Sequence, residues 1–184
     1  MSKIRSNVYK EIRDRLKSKM PELVYIDLQK GQFAKREQNY PVPLPACLVE
    51  FGAIKWSNTT GEQIGDAQIS AYLYIDLVTD SFDNAELENE TIEILDTQDD
   101  LFDSLHGFTG KNFNPLSRTS DSPHEYGEGY VCFKVDFRTT IFPNGKIKTT
   151  KKPNPKLTLK INKNGNKNNN TQKCTLSIGK GAKK

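Results

Sequence analysis

Ala67-Gln68-Ile69-Ser70-Ala71-Tyr72-Leu73-Tyr74-Ile75-Asp76-Leu77 is the stretch on which the fold turns. Ala67, Ile69, Ala71, Leu73, Ile75 and Leu77 share one face, and Gln68, Ser70, Tyr72, Tyr74 and Asp76 share the other. Successive side chains of a strand point to opposite sides, so the run reads as a central strand with one face on a core. Residues 130–142 repeat the pattern, with Val131, Phe133, Val135, Phe137 and Ile141 opposite Lys134, Asp136 and Arg138. Polar outer faces predict antiparallel strands covered on one side only. Tyr72 and Tyr74 read two ways: as ordinary exposed-strand aromatics, or, with Lys134 and Arg138, as part of a subunit interface, where tyrosine is enriched.

Working outward, residues 2–20 place Ile4, Val8, Ile12 and Leu16 four apart with Tyr9 alongside, which is an amphipathic helix ended by Pro21. Val24, Ile26 and Leu28 then alternate as a strand with one buried face. A loop closes on Pro41, Pro43 and Pro45. Residues 46–51 read as a strand that 54–56 continues or bends, and 58–65 has turn chemistry, giving a hairpin into the central strand. Residues 84–105 form a second helix whose apolar stripe is Leu87, Thr91, Ile94, Leu95, Leu101, Phe102 and Leu105, with Gly107 at its stop. The rest of that helix is acidic: Asp83, Glu86, Glu88, Glu90, Glu93, Asp96, Asp99, Asp100 and Asp103 occur without a Lys or Arg. Like charges four residues apart repel, so the block is unusual for an isolated helix. A short strand near 113–119 and a polar loop through Asp121 and Gly129 lead to the last strand.

The fold class is therefore α+β, a mainly antiparallel sheet packed against two helices. With 184 residues there is room for one domain, 1–143, and an appendage, 144–184. Hydrophobic residues are 35% of the chain and mean hydropathy is −0.69, polar overall yet too rich in Leu, Ile, Val, Phe and Tyr for disorder throughout. No apolar run approaches the roughly 20 residues that cross a bilayer, and the N-terminus lacks a signal peptide's apolar stretch, so a soluble, unsecreted protein is expected. Cys47, Cys132 and Cys174 are scattered and odd in number, suggesting neither a disulfide framework nor a zinc site.

Charge is divided unevenly. Residues 143–184 hold twelve lysines (Lys146, Lys148, Lys151, Lys152, Lys156, Lys160, Lys163, Lys167, Lys173, Lys180, Lys183 and Lys184) and no acid. The remaining fifteen of 27 basic residues face all 23 acids, so a body of −8 carries an extension of +12. Such an extension either neutralises an acidic surface on a neighbouring copy or touches nucleic acid, in both cases through salt-sensitive contacts. Within it Leu157, Leu159 and Ile161 alternate, as do Cys174, Leu176 and Ile178, around an Asn/Gly/Lys loop. Two strands alone are marginal in water, so this hairpin is expected to dock on a neighbouring subunit or partner.

Chemistry-bearing patterns are sparse. His106 reads as a helix-end residue and His124 as a loop residue, neither with a partner pattern for catalysis. Helical carboxylates lack the alternation of a calcium loop, and the glycines Gly127, Gly129, Gly179 and Gly181 lack the setting of a phosphate-binding turn. No catalytic, cofactor or metal residue is assigned. The expected contacts are an interface using Tyr72, Tyr74, Lys134, Arg138, Glu86, Glu90, Glu93 and Asp100. Lys146, Lys148, Lys151, Lys152, Lys156, Lys160, Lys163 and Lys167 are expected to meet a partner or DNA.

Five segments carry a resemblance: Leu48-Val49-Glu50-Phe51, Leu77-Val78-Thr79-Asp80, Leu105-His106-Gly107-Phe108, Phe113-Asn114-Pro115-Leu116-Ser117-Arg118-Thr119 and Val135-Asp136-Phe137-Arg138-Thr139-Thr140-Ile141-Phe142. Together they resemble the tail-terminator and head-tail joining proteins of tailed phages, as found in phages and prophages of Bacteroidetes bacteria. The resemblance covers about residues 3–143. It implies a small α+β subunit whose copies form a homo-oligomeric ring, a hexamer, between the capsid connector or portal and the tail tube. It also implies a structural, non-enzymatic virion protein of the neck, assembled in the host cytoplasm. The extension departs from that compact pattern and leaves open another neck, stopper or connector component, or a DNA-binding accessory protein using the lysines.

Overall fold

A computed structural model describes residues 3–33, 42–59, 62–77, 84–127 and 129–146. The extension from 147 onward lies outside them, and with it the expected hairpin, Cys174, and Lys148, Lys151, Lys152, Lys156, Lys160, Lys163 and Lys167. The side chain of Glu86 is outside them too. All described residues belong to one unit, Met1–Ile147.

Helix α1 (Ile4–Lys19) is followed by strands β1 (Tyr25–Leu28), β2 (Ala46–Thr59) and β3 (Glu62–Asp76), helix α2 (Asn84–Leu105), then β4 (Ser117–Gly127) and β5 (Tyr130–Ile141). The strands form one sheet in the order β1-β2-β3-β5-β4, antiparallel at every junction except the parallel pair β1–β2. This is the expected α+β class. Central β3 pairs Ala71 with Val49 and Val135, and Ile69 with Phe51 and Phe137, so its apolar face continues across three strands. Onto that face α1 lays Ile4, Val8, Ile12 and Leu16, all buried, the four-residue spacing having put them on one side of the helix. Lys17 and Lys19 in its last turn oppose the negative end of the helix dipole.

Among the described residues of the second helix, the fully buried ones lie near its C-terminus. Leu101, Ser104 and Leu105 are buried, and the Arg15 Nε donates to the Ser104 carbonyl at 2.8 Å, tying α1 to it. Gly107 (φ 71°) takes the left-handed conformation after the helix, its N–H donating to the Leu116 carbonyl. That stop is the one the sequence predicts.

Three expectations are corrected. The sheet is not bare on its second side: Phe33, Val42 and Leu44 pack against Ala46, Leu48, Tyr72, Tyr74, Tyr130 and Cys132. The reason lies in β1 and β2, because parallel neighbours cannot be joined by a tight turn and their connection has to cross a sheet face. The polar stretch through Asp121 and His124 is not a loop but most of β4, which pairs with β5 from Ser117↔Arg138 to Gly127↔Tyr130. An edge strand with solvent on its outer side need not show alternation. The apolar stripe of α2 is only partly core, since Leu87, Thr91 and Leu95 are exposed. Smaller shifts occur elsewhere: β2 and β3 pair as far as Thr59↔Glu62, with a bulge between Phe51 and Ile54, and Val24 is 64% exposed just ahead of β1.

Candidate assembly interface

Tyr74, expected on an open face, is 1% exposed. Phe33 stacks on it with ring centroids 3.8 Å apart and planes 6° from parallel, Tyr130 tilts against both, and Gln29 Nε2 donates to its hydroxyl at 3.0 Å. Tyr72 is 6% exposed; its hydroxyl donates to Glu50 Oε2 at 2.5 Å, and the His124 ring meets it edge-on at 4.8 Å. Burial raises the Tyr72 hydroxyl well above its ordinary pKa, with the bond to Glu50 acting in the same sense. Both rings therefore stabilise the protomer from within. The sequence reading missed Phe33, Val42 and Leu44; their only signal was apolar character inside a polar, proline-rich loop.

Beyond the tyrosines the same face turns polar. Asp136 accepts from Ser70 Oγ at 2.5 Å and Ser120 Oγ at 3.0 Å, and Lys134 Nζ lies 3.1 Å away and 5.8 Å from the Tyr72 ring. Burial alone would raise the Asp136 carboxyl, but the bonds from Ser70, Lys134 and Ser120 outweigh it and hold the group below the ordinary value. Arg138 forms a two-pronged ion pair with Asp66, at 2.9 and 2.5 Å, and its hydrogen bonds depress the Asp66 carboxyl. Lys134 and Arg138 thus already have partners within the chain. The half-buried Lys134–Asp136 pair and the exposed Arg138–Asp66 pair both lie on β5, next to edge strand β4, and give the face a fixed charge pattern of the kind that sets register more than affinity.

The acidic helix is different. Between Asn84 and Leu105 there are eight carboxylates and no Lys, Arg or His. Among the described residues, none of the ion pairs uses Glu88, Glu93, Asp96, Asp99, Asp100 or Asp103. Neighbouring like charges at three- and four-residue spacing each cost about 0.2–0.5 kcal/mol. The helix dipole favours the carboxylates of the first turn but opposes Asp103 near the last. Hydrophobic side chains are exposed on the same segment: Leu87 at 37%, Ile92 at 49% and Leu95 at 52%. Glu88, Ile92, Leu95 and Asp99 follow one another at four-, three- and four-residue steps, which places them in one row along the helix. The row is an apolar pair with a carboxylate at each end. Glu90 and Glu93 flank it on the same helix, with Glu90 half-buried. The sequence held this signal in the spacing, but the stripe reading absorbed Leu95 into the core.

Lys146, the first lysine of the extension, is exposed; its N–H donates to the Lys111 carbonyl at 3.2 Å and its ammonium contacts Thr109 Oγ1. His106 Nδ1 accepts from the Arg118 N–H at 3.4 Å, and the Arg118 guanidinium lies 3.7 Å from the Phe102 ring centre, so this histidine caps the turn after α2. Cys47 is fully buried and burial pushes its thiol up to about 12, with Cys132 adding in the same direction. Among the described residues no group of three or more His, Cys, Asp or Glu is placed to hold a metal ion, and no helix is long and apolar enough to cross a membrane.

Neither a family model nor a curated protein matches this chain. A solved structure similar to it is the virion of a native gene transfer agent particle, which aligns over 77% of this chain and 99% of that chain at 10% identity with a TM-score of 0.46.

Proposed function

We propose that this protein is a structural subunit of a tailed-phage-type particle, a ring component of the neck that terminates the tail tube and joins it to the head connector. The observation that carries this reading is the outward half of α2, where Leu87, Ile92 and Leu95 stand in solvent beside Glu88, Glu93, Asp96 and Asp99, which enter no ion pair among the described residues, on a chain whose extension carries twelve lysines. A surface that is apolar and strongly charged at once is costly to leave in water and is suited to a partner. Complementary charge on two different parts of one chain fits a heterologous contact, one patch meeting another around a closed rotation.

The segments resembling tail-terminator and joining proteins support the reading, for most of them are neighbours in space. Phe113 bridges to Ile141, the Asn114 carbonyl accepts from Thr139 Oγ1 at 2.7 Å, and the Gly107 N–H reaches the Leu116 carbonyl. Three separated stretches of sequence therefore build one corner of the domain. The partners proposed are copies of the chain in a six-membered ring, the tail tube, and the connector or portal. The protein would reside in the virion after assembly in the host cytoplasm, and its role requires no chemistry on a substrate.

Negative-stain imaging of the full-length protein tests this. Closed rings of sixfold symmetry are expected, stacking on tail tubes when these are added; particles of single-subunit size at every concentration would overturn it. The lysine density of the extension favours a second reading, an accessory DNA-binding protein. That reading requires a gel shift of duplex DNA whose affinity falls steeply with salt.

A further inference from the structure

We infer that the row Glu88-Ile92-Leu95-Asp99 on α2 is the seat for residues 156–163 of the extension of a neighbouring copy. This rests on the reading that copies assemble, and it names the two surfaces that meet. On the helix side, Ile92 and Leu95 are about half exposed, adjacent, and bracketed by carboxylates that have no ion-pair partner among the described residues. On the other side, Lys156-Leu157-Thr158-Leu159-Lys160-Ile161-Asn162-Lys163 alternates its apolar residues and has no acid.

An extended segment presents Leu157, Leu159 and Ile161 on one face at intervals of about 6.6–6.8 Å. Ile92 and Leu95 offer apolar surface to that face, with Leu87 nearby on the same exposed half of the helix. Lysine stems are long enough to lie along an apolar surface while their ammonium groups reach carboxylates at its margins. Lys156, Lys160 and Lys163 thus meet Glu88, Asp99 and their acidic neighbours. DNA would satisfy the lysines but leave the alternating leucines and isoleucine without an apolar partner, and would be repelled by the helix.

Reach permits the contact. Lys146 is the last described residue, and the ten residues from it to Lys156 span at most about 33–36 Å when extended. That is as long as the 22-residue helix itself, roughly 33 Å, so the linker is long enough to carry residues 156–163 well away from Lys146.

Two full-length variants test the proposal. One replaces Ile92→Gln and Leu95→Gln, changes a helix tolerates; the other replaces Leu157→Asp, Leu159→Asp and Ile161→Asp. Each alone is expected to lose self-association by at least about tenfold in midpoint concentration, with unchanged far-ultraviolet circular dichroism. Mixed together, the two are expected to form a 1:1 pair, because one still supplies the helix and the other the extension. A second set guards against misfolding: Glu88→Lys with Asp99→Lys should weaken assembly, and Lys156→Glu with Lys160→Glu should restore it when combined.

Variants that assemble like the parent protein, or a mixture that stays monomeric, overturn the proposal while leaving the ring reading standing. A parent protein that never self-associates overturns both. Loss of DNA binding in the extension variant with assembly intact assigns the segment to nucleic acid and overturns the helix contact.

Discussion

Leu95 and Leu101 sit six residues apart on one helix and should respond to the same change by very different amounts. Leu101 is 0% exposed and part of the main core, whereas Leu95 is half exposed. Replacing leucine by alanine removes three carbons, about 2.4 kcal/mol at roughly 0.8 kcal/mol each when the site is dry. The cavity left in a packed core adds to this, so Leu101→Ala should cost about 3–4 kcal/mol. Leu95→Ala loses at most about half the transfer contribution, leaves no cavity and gains slightly in helix propensity, for a net cost under about 1 kcal/mol. Urea unfolding of the full-length protein, at about 1 M salt where charge contacts between copies are screened, measures both. With a slope of about 2 kcal/mol/M, the Leu101→Ala midpoint should fall by about 1.5–2 M and the Leu95→Ala midpoint by less than about 0.5 M. Equal losses would refute the reasoning, because they would mean that the outward half of α2 is covered within a single protomer.

Three further outcomes follow from local structure. Gly107→Ala should destabilise by about 1–2 kcal/mol in the same urea assay, through its left-handed φ alone, because no atom lies near an added Cβ; an unchanged midpoint would contradict this. The Asp136 carboxyl titrates lower in the folded chain than its ordinary 3.8, so its contribution is complete above that value and is lost as pH falls through the folded pKa. Asp136→Asn should accordingly flatten the fall in melting temperature below about pH 3.8, and a fall as steep as in the parent would count against its bonds with Ser70, Lys134 and Ser120. In a Cys174→Ser protein the two buried thiols should resist a disulfide reagent at pH 8 until denaturant is added, whereas prompt labelling would show that Cys47 is not enclosed.

What the sequence made legible was what depends on near neighbours. Helix α2 was bounded at 84–105 because Gly107 ends it and the acids mark its surface, and β3 and β5 because a half-buried strand writes its two faces as alternation. Edge strand β4 was hidden because its residues answer to backbone pairing with β5 and not to a buried face. The burial of Tyr72 and Tyr74 is hidden for a related reason, as alternation reveals that two faces differ but not that Phe33, Val42 and Leu44 return to cover the second one. The stripe on α2 shows the same limit. Periodicity identified which side of the helix is apolar, while the length over which the domain meets it depends on where α1 ends its packing.

The outward half of α2 is the proposed contact between copies. Light scattering of the full-length protein across a salt series, compared with the Ile92→Gln, Leu95→Gln variant, tests it most directly. A ring-sized mass at low salt that falls with rising salt, and a variant that is already smaller at low salt, are the predicted results. Identical masses for parent and variant at every salt concentration would contradict it.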